Sequence, residues 1–311
     1  MKGKVLIASP VHPVLFQGLK DLGYELVVTE QITQEEAMVQ LADCVGVVTS
    51  TRLLLDRRLL DAAPALRWIG RMGSGMEVID VPYAMEKGIV CFSSPEGNAN
   101  AVAEHAVGLL ISLTKKIGTS HQEVKQGHWL REENRGTELE GKTLGIIGFG
   151  HTGRALARKL SGFDMQLLAF DKYHRPADLC GAQFCDSLDR IFREATILSF
   201  HVPLKDDTIY YLNDAFIERM EHQFLLINTS RGAVVETAAL LGGLASGKIL
   251  GAGLDVLEEE PLQKMNPVLR ARVETLLGLP QVIITPHIAG YSNEALFKMS
   301  KVLLERIVTV P

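Results

Sequence analysis

The chain has 311 residues, 47% of them apolar, with a formal net charge of −5 and a pI near 6.0. That length exceeds one ordinary hydrophobic core and predicts two domains. The mildly acidic balance argues against nucleic-acid binding, which needs a basic face, and no apolar run approaches the roughly 20 residues of a membrane span.

Val5-Leu6-Ile7-Ala8 follows two lysines but is too short for the apolar stretch of a signal peptide, and Pro10, His12 and Pro13 interrupt it. A cytoplasmic setting is therefore expected. The run reads instead as a first strand. Further strands are predicted at residues 25–28, 46–49, 67–70 and 89–92, separated by short segments of helical spacing such as Leu59-Leu60 before Ala62-Ala63. This pattern predicts a small open sheet with helices on its faces. Residues 100–117 read as a long apolar helix, and a polar stretch runs from His121 to Gly141. A second set of strands is predicted at residues 143–148, 166–171, 196–202, 224–230, 250–256 and 281–286, and a last helix over 293–308. The alternation marks parallel α/β sheets throughout. The four cysteines, Cys44, Cys91, Cys180 and Cys185, form no C-x-x-C pair and are expected to be buried, reduced thiols; no metal site is expected.

Gly148-Phe149-Gly150-His151-Thr152-Gly153 fits G-x-G-x-x-G, directly after an apolar strand and before a helix predicted from Arg154 to Leu160. Alone the pattern is weak; in that context it predicts a dinucleotide site. The first glycine permits the tight turn, the second lets backbone approach a pyrophosphate, and the third lets helix and strand pack closely. The helix N-terminus offers N–H groups and partial positive charge to the phosphates. Asp171 ends the next strand, 18 residues past Gly153, where an acid would hold the ribose hydroxyls and repel a 2′-phosphate. NAD is thus favoured over NADP, with Lys172 and Arg175 nearby weighing the other way. The alternative for Asp171 is a loop cap.

Three polar residues sit at the ends of predicted strands of the second set: Arg231 and His287 directly after theirs and Asp255 at the end of its own, with Glu260 one loop beyond Asp255. Open α/β sheets bind ligands outside the carboxyl ends of their strands. Reducing a 2-keto acid needs a planar cation for the carboxylate, a proton donor for the forming alkoxide, and an acid beside that donor. Arg231, His287 and Glu260 fit these roles. Singly, each is as readily a surface charge, a loop histidine or a solvated acid; downstream of a coenzyme fingerprint they converge on one chemistry.

The chain resembles the NAD-dependent D-2-hydroxyacid dehydrogenase family along most of its length. The resemblance is carried by Arg71-Met72-Gly73-Ser74-Gly75, Asn98 through Glu104, and Gly136-Thr137-Glu138-Leu139 leading into Gly141-Lys142-Thr143. It continues through the glycine fingerprint, His201-Val202-Pro203-Leu204, Asn228-Thr229-Ser230-Arg231-Gly232, Gly253-Leu254-Asp255-Val256, Glu260-Pro261-Leu262 and Pro286-His287-Ile288-Ala289-Gly290. It implies two Rossmann-like domains, one flavodoxin-like and one dinucleotide-binding, with parallel sheets and an interdomain cleft. The substrate domain would be discontinuous, residues 1–98 and 288–311, and the dinucleotide-binding domain residues 99–287.

It further implies an enzyme moving a hydride between NAD and C2 of a small D-2-hydroxy or 2-keto acid, with Arg231, Glu260 and His287 as the catalytic trio. Ser74 and Gly75 would join Arg231 and His287 on the substrate. Ser74, Gly148, Gly150, His151, Thr152, Gly153, Asp171, Val202, Thr229, Ser230, Asp255 and Gly290 would contact the coenzyme. A homodimer around Val102 and Trp129 is implied. Candidate substrates are 3-phosphoglycerate, hydroxypyruvate or glyoxylate, and D-lactate, with Arg52, Arg131 and Arg135 as candidate phosphate partners or solvated charges. The alternative is a non-catalytic NAD(H)-sensing, partner-binding protein of co-repressor type.

Several positions depart from the family pattern. His151-Thr152 stands for a basic residue plus isoleucine, and Met76-Glu77 for valine plus aspartate. Glu260 stands where related formate dehydrogenases carry glutamine, so formate is not expected. The chain stops at Pro311, so serine feedback through an additional C-terminal domain is not expected either.

Overall fold

A computed structural model describes residues 2–310. The chain divides into two compact units, Met1–Ala101 with Gly290–Pro311, and Val102–Ala289. Met1 and Pro311, the outer limits of the predicted substrate domain, lie outside the described residues.

The first unit is built on five parallel strands, β1 (Gly3–Ile7), β2 (Tyr24–Val28), β3 (Cys44–Thr49), β4 (Trp68–Arg71) and β5 (Val90–Phe92), in the order β2-β1-β3-β4-β5. That is the flavodoxin-like order. Alternate residues of the same strands feed opposite faces, as the two-residue period of a strand requires. Leu6, Val47 and Ile69 join one apolar cluster, while Val5, Ile7, Val48 and Trp68 join another. Helices cover both faces, so the strands are apolar on both sides. The last helix, Asn293–Ile307, places Leu303 and Ile307 in the second cluster beside Leu15 and Leu19. Ser292 caps that helix by accepting the Ala295 N–H at 3.0 Å.

The second unit carries seven parallel strands: β6 (Thr143–Ile147), β7 (Gln166–Phe170), β8 (Gln183–Phe184), β9 (Ile197–Phe200), β10 (Phe224–Asn228), β11 (Ile249–Leu254) and β12 (Val282–Ile284). Their order is β12-β11-β10-β9-β6-β7-β8. Strand order reverses between β6 and β9, which makes their carboxyl ends the ligand-binding switch point of a doubly wound sheet. Because all the strands are parallel, the loops after β6, β9, β10, β11 and β12 leave from one edge of the sheet. Asp171, Thr229, Ser230, Arg231, Asp255, Glu260 and His287 lie on one of those loops or on the loop after β7.

Differences from the predicted elements have local causes. The helix of the glycine motif spans His151–Leu160 rather than starting at Arg154, because Gly150 is its N-cap and Gly153 lies inside it. The long helix is Pro95–Thr114 rather than 100–117: proline suits a first helical turn, and Lys116, left-handed at φ 51°, follows its end. The two-residue edge strand β8 is too short to leave a periodic signal. Cys44 and Cys185 are buried, but Cys91 and Cys180 are only partly so, which corrects the expectation of uniform burial; all four thiols are free. Burial pushes Cys44 and Cys91 up to about 11. Among the described residues, no helix is long and apolar enough to cross a membrane.

Candidate active site

The turn after β6 is shaped by its glycines in three different ways. Gly148 has φ +91°, and a Cβ there would stand 2.4 Å from the His201 carbonyl oxygen. A Cβ on Gly153 would stand 2.2 Å from the Gly148 carbonyl oxygen. Both are therefore required by the protein's own packing. A Cβ on Gly150 would meet nothing within 4 Å, so no internal packing requires glycine there and the open space leaves room for a ligand. Gly150, the N-cap of the helix His151–Leu160, makes no side-chain cap bond, and the positive end of the helix faces the turn, where it favours an anion. A pocket at this point is lined by Gly148, Gly150, Asp171, Val202, Thr208 and Tyr211, among others. His151 is exposed and Thr152 half-buried at the start of the helix.

Asp171 has two functions within this turn. Its Oδ2 accepts the Phe149 N–H at 2.8 Å, and its Oδ1 accepts the N–H groups of Tyr173 and His174, each at 3.0 Å. The carboxylate thus closes both the glycine turn and its own loop, so it is indeed a loop cap. It also lines the pocket, with acceptor capacity remaining for a hydroxyl. On the far side of the switch point, Ser199 Oγ lies 2.8 Å from His201 Nε2, and burial pushes the His201 imidazole down to about 4. His201 Nδ1 and Thr229 Oγ1 are buried without a partner. Buried polar atoms are rarely left unsatisfied in a finished site, so these two suit a polar ligand as the missing partner. The open space at Gly150, a helix N-terminus without a side-chain cap, the Asp171 carboxylate and two orphaned polar atoms together fit a dinucleotide.

The turns after β10, β11 and β12 converge. Asn228 ends β10 and clamps the first of them: its Oδ1 accepts from Ser230 N–H at 3.1 Å and Ser230 Oγ–H at 2.8 Å, while its Nδ2 donates to the Arg231 carbonyl at 2.9 Å. Arg231 donates from Nη1 to the Ser230 carbonyl at 2.6 Å. A Cβ on Gly232 would fall 1.8 Å from the Leu257 carbonyl oxygen, so only glycine lets this turn lie against the loop after β11. That loop carries Glu260, whose Oε1 accepts the Leu257 N–H at 2.9 Å and whose Oε2 sits 2.7 Å from His287 Nδ1.

The electrostatics follow from this contact. The Glu260 hydrogen bond, aided by its charge, raises the His287 pKa above its ordinary value against the opposing effect of burial. Burial works against ionisation of Glu260, but the His287 hydrogen bond and charge outweigh it, and the Glu260 pKa falls. The Arg231 charge acts on both groups, lowering each.

His287 is one of few non-glycine residues in the left-handed region, at φ +55°. Asp255 braces it there. The Asp255 carbonyl accepts the His287 N–H at 2.9 Å. Its carboxylate, 1% exposed, accepts from Thr285 Oγ–H at 2.5 Å, Ile288 N–H at 2.9 Å and Ala289 N–H at 2.7 Å. His105 Nε2, on the long helix, lies 2.9 Å from Thr285 Oγ1. Asn228, Thr285 and His105 were not singled out from sequence. A polar residue at a strand end and a histidine on an apolar helix were their only signals.

In the first unit, Ser74 is exposed and Gly75 buried on the loop after β4, which Ser94 ties down by donating to the Arg71 carbonyl and accepting the Gly73 N–H. Gly290 belongs to the same unit, packed against Asn98. Arg52, Arg131 and Arg135 are exposed, and Arg135 pairs with Glu132.

Residues 107–289 match the family described as D-isomer specific 2-hydroxyacid dehydrogenase, NAD binding domain. The chain is 32% identical to a D-3-phosphoglycerate dehydrogenase of Archaeoglobus fulgidus over 309 residues, 99% of this chain and 57% of that protein. It spans little more than half the length of the phosphoglycerate dehydrogenases it matches. It is 35% identical to a hydroxypyruvate reductase of Thermotoga maritima over 286 residues, 91% of this chain and 90% of that protein. The crystal structure of D-lactate dehydrogenase from Aquifex aeolicus, complexed with NAD and lactic acid, superposes with a TM-score of 0.84 at 28% identity, covering 98% of this chain and 94% of that one.

Proposed function

The chain belongs to the D-isomer specific 2-hydroxyacid dehydrogenase family, and on that premise we propose that it is an NAD-dependent oxidoreductase acting at C2 of a small D-2-hydroxy or 2-keto acid. The observation that carries the reading is the convergence of Arg231, Glu260 and His287 on neighbouring strand ends of the unit that holds the glycine turn.

When bound, the nicotinamide supplies or accepts the hydride. The residues of the chain do the rest. Arg231 holds the substrate carboxylate, for which a planar guanidinium offers two parallel donors. Glu260 engages His287 Nδ1, leaving Nε2 as the nitrogen that exchanges a proton with the substrate oxygen. During reduction, protonated His287 gives that proton to the oxygen as it gains charge. During oxidation, neutral His287 takes it back. Glu260 favours the imidazolium and fixes the ring, and Asp255 holds the backbone from which the ring projects. Gly150 and the following amides receive the pyrophosphate, Asp171 the ribose, and Thr229 and His201 polar atoms of the nicotinamide half.

Phosphoglycerate, hydroxypyruvate and glyoxylate are the leading substrate candidates, since the relatives carry those names. The free cysteines suit a cytoplasmic setting. The exposed apolar side chains of Ile117, Val124, Trp129 and Leu130 suit burial in a homodimer, which sedimentation would test.

The test is an NADH-oxidation panel across keto acids with and without a phosphate. His287→Ala should lose about 10²–10⁴-fold in turnover while still binding NADH. Full activity in that variant would sink the reading. Tight NADH binding with no turnover of any keto acid would favour the sensor alternative.

A further inference from the structure

The adenosine end of the coenzyme pocket carries a contact that the proposed reaction does not use. Asp207, on the loop after β9, accepts from Lys172 Nζ at 2.5 Å and from Tyr173 O–H at 2.7 Å. Lys172 and Tyr173 directly follow Asp171 on the loop after β7, so one carboxylate ties the two loops together. Asp171, Lys172, Tyr173 and Asp207 all line the same pocket.

The other cations here are also engaged. Lys205 Nζ lies 4.7 Å from the centre of the Tyr173 ring. Arg175 pairs with Asp186 at 3.3 Å and lies 5.0 Å from the centre of the Phe184 ring. The hydrogen bond between them raises the Lys172 pKa and lowers that of Asp207, so both stay ionised through the neutral range.

Resting on the reading that the turn after β6 takes a dinucleotide, we infer that Asp207 is a determinant of coenzyme choice. It commits the Lys172 ammonium, so the pocket accepts NAD(H) and rejects NADP(H). The two coenzymes differ at the ribose 2′ position. A neutral hydroxyl can donate to Asp171 and is indifferent to the charge of its surroundings. A phosphate dianion is repelled by the Asp171 carboxylate and needs a cation to offset it. Lys172 is the nearest candidate in the chain, directly after Asp171, and Asp207 already holds it. The basic text after β7 therefore does not mark a site for the 2′-phosphate, because its charge is spent on a residue 35 positions away.

The experiment measures NADH and NADPH dissociation constants by calorimetry on the full chain, without turnover. The unaltered chain should prefer NADH. Asp207→Asn keeps the size of the side chain and removes its charge; the affinity ratio of NADPH to NADH should rise at least about fivefold. Adding Lys172→Met to that variant should cancel the gain, because the freed ammonium is its source. An unchanged ratio in Asp207→Asn, or a gain that survives loss of Lys172, overturns the inference while leaving the dinucleotide site standing. Failure of the unaltered chain to bind either coenzyme overturns the dinucleotide reading, and this inference with it.

Discussion

Glu260 reaches His287 Nδ1 with one carboxylate oxygen and the Leu257 amide with the other, so the acid that tunes the imidazole is itself anchored to backbone. The first prediction concerns pH. Because the folded His287 pKa is raised, reduction should hold steady at low pH and fall as pH rises through that raised value; oxidation should show the opposite dependence. Glu260→Gln removes the largest cause of the rise. The midpoint of the reduction profile, measured as log kcat/KM against pH, should move to lower pH. A midpoint that stays put would show that Glu260 does not set the titration.

Arg231→Lys keeps the charge and loses the fork. Against a carboxylate it should cost kcat/KM on the order of 10²-fold, chiefly through KM. Steady-state kinetics with the preferred keto acid, alongside an NADH titration, separates substrate binding from coenzyme binding. Near-normal KM in this variant would remove Arg231 from the substrate.

Asp255→Ala should be among the most damaging single changes for stability. It removes the carboxylate, 1% exposed, that accepts the Ile288 and Ala289 N–H groups and the Thr285 hydroxyl, leaving the two amides without their acceptor and the hydroxyl with His105. A loss of about 2–4 kcal/mol follows from leaving such donors unpaired. Urea unfolding reads it as a lower midpoint. Because His287 rides on the same loop, activity should fall under conditions where the variant remains folded.

Two alanine substitutions in the glycine turn should part company. Gly153→Ala drives a Cβ toward the Gly148 carbonyl and should lower the melting temperature. Gly150→Ala enters open space and should leave the melting temperature nearly unchanged while weakening NADH binding at least about tenfold, as the methyl group occupies the pyrophosphate approach. Equal stability losses in the two would contradict this division.

Contiguous signals were the legible ones. The two sheets could be read because each buried strand is a short apolar run, and the glycine turn because its spacing sits between a strand and a helix. The strand-end positions of Arg231, Asp255 and His287 followed from the same alternation. Partners separated along the chain could not be read this way. Nothing local ties Asp207 to Lys172, Asp255 to Thr285, or His105 to either, since folding alone makes them neighbours. Helix limits shifted where a turn residue, Gly150 or Lys116, decided the end rather than the apolar period.

The three amide contacts of Asp171 constrain how this chain could change its coenzyme over evolution. Trading that acid for a small or basic residue would relieve repulsion of an added phosphate but would also unfasten the Phe149 amide and the start of the following loop, impairing affinity for every dinucleotide alike. Natural drift toward the phosphorylated form would therefore be easier through neighbouring side chains that carry no backbone duty, with this aspartate among the last positions to yield.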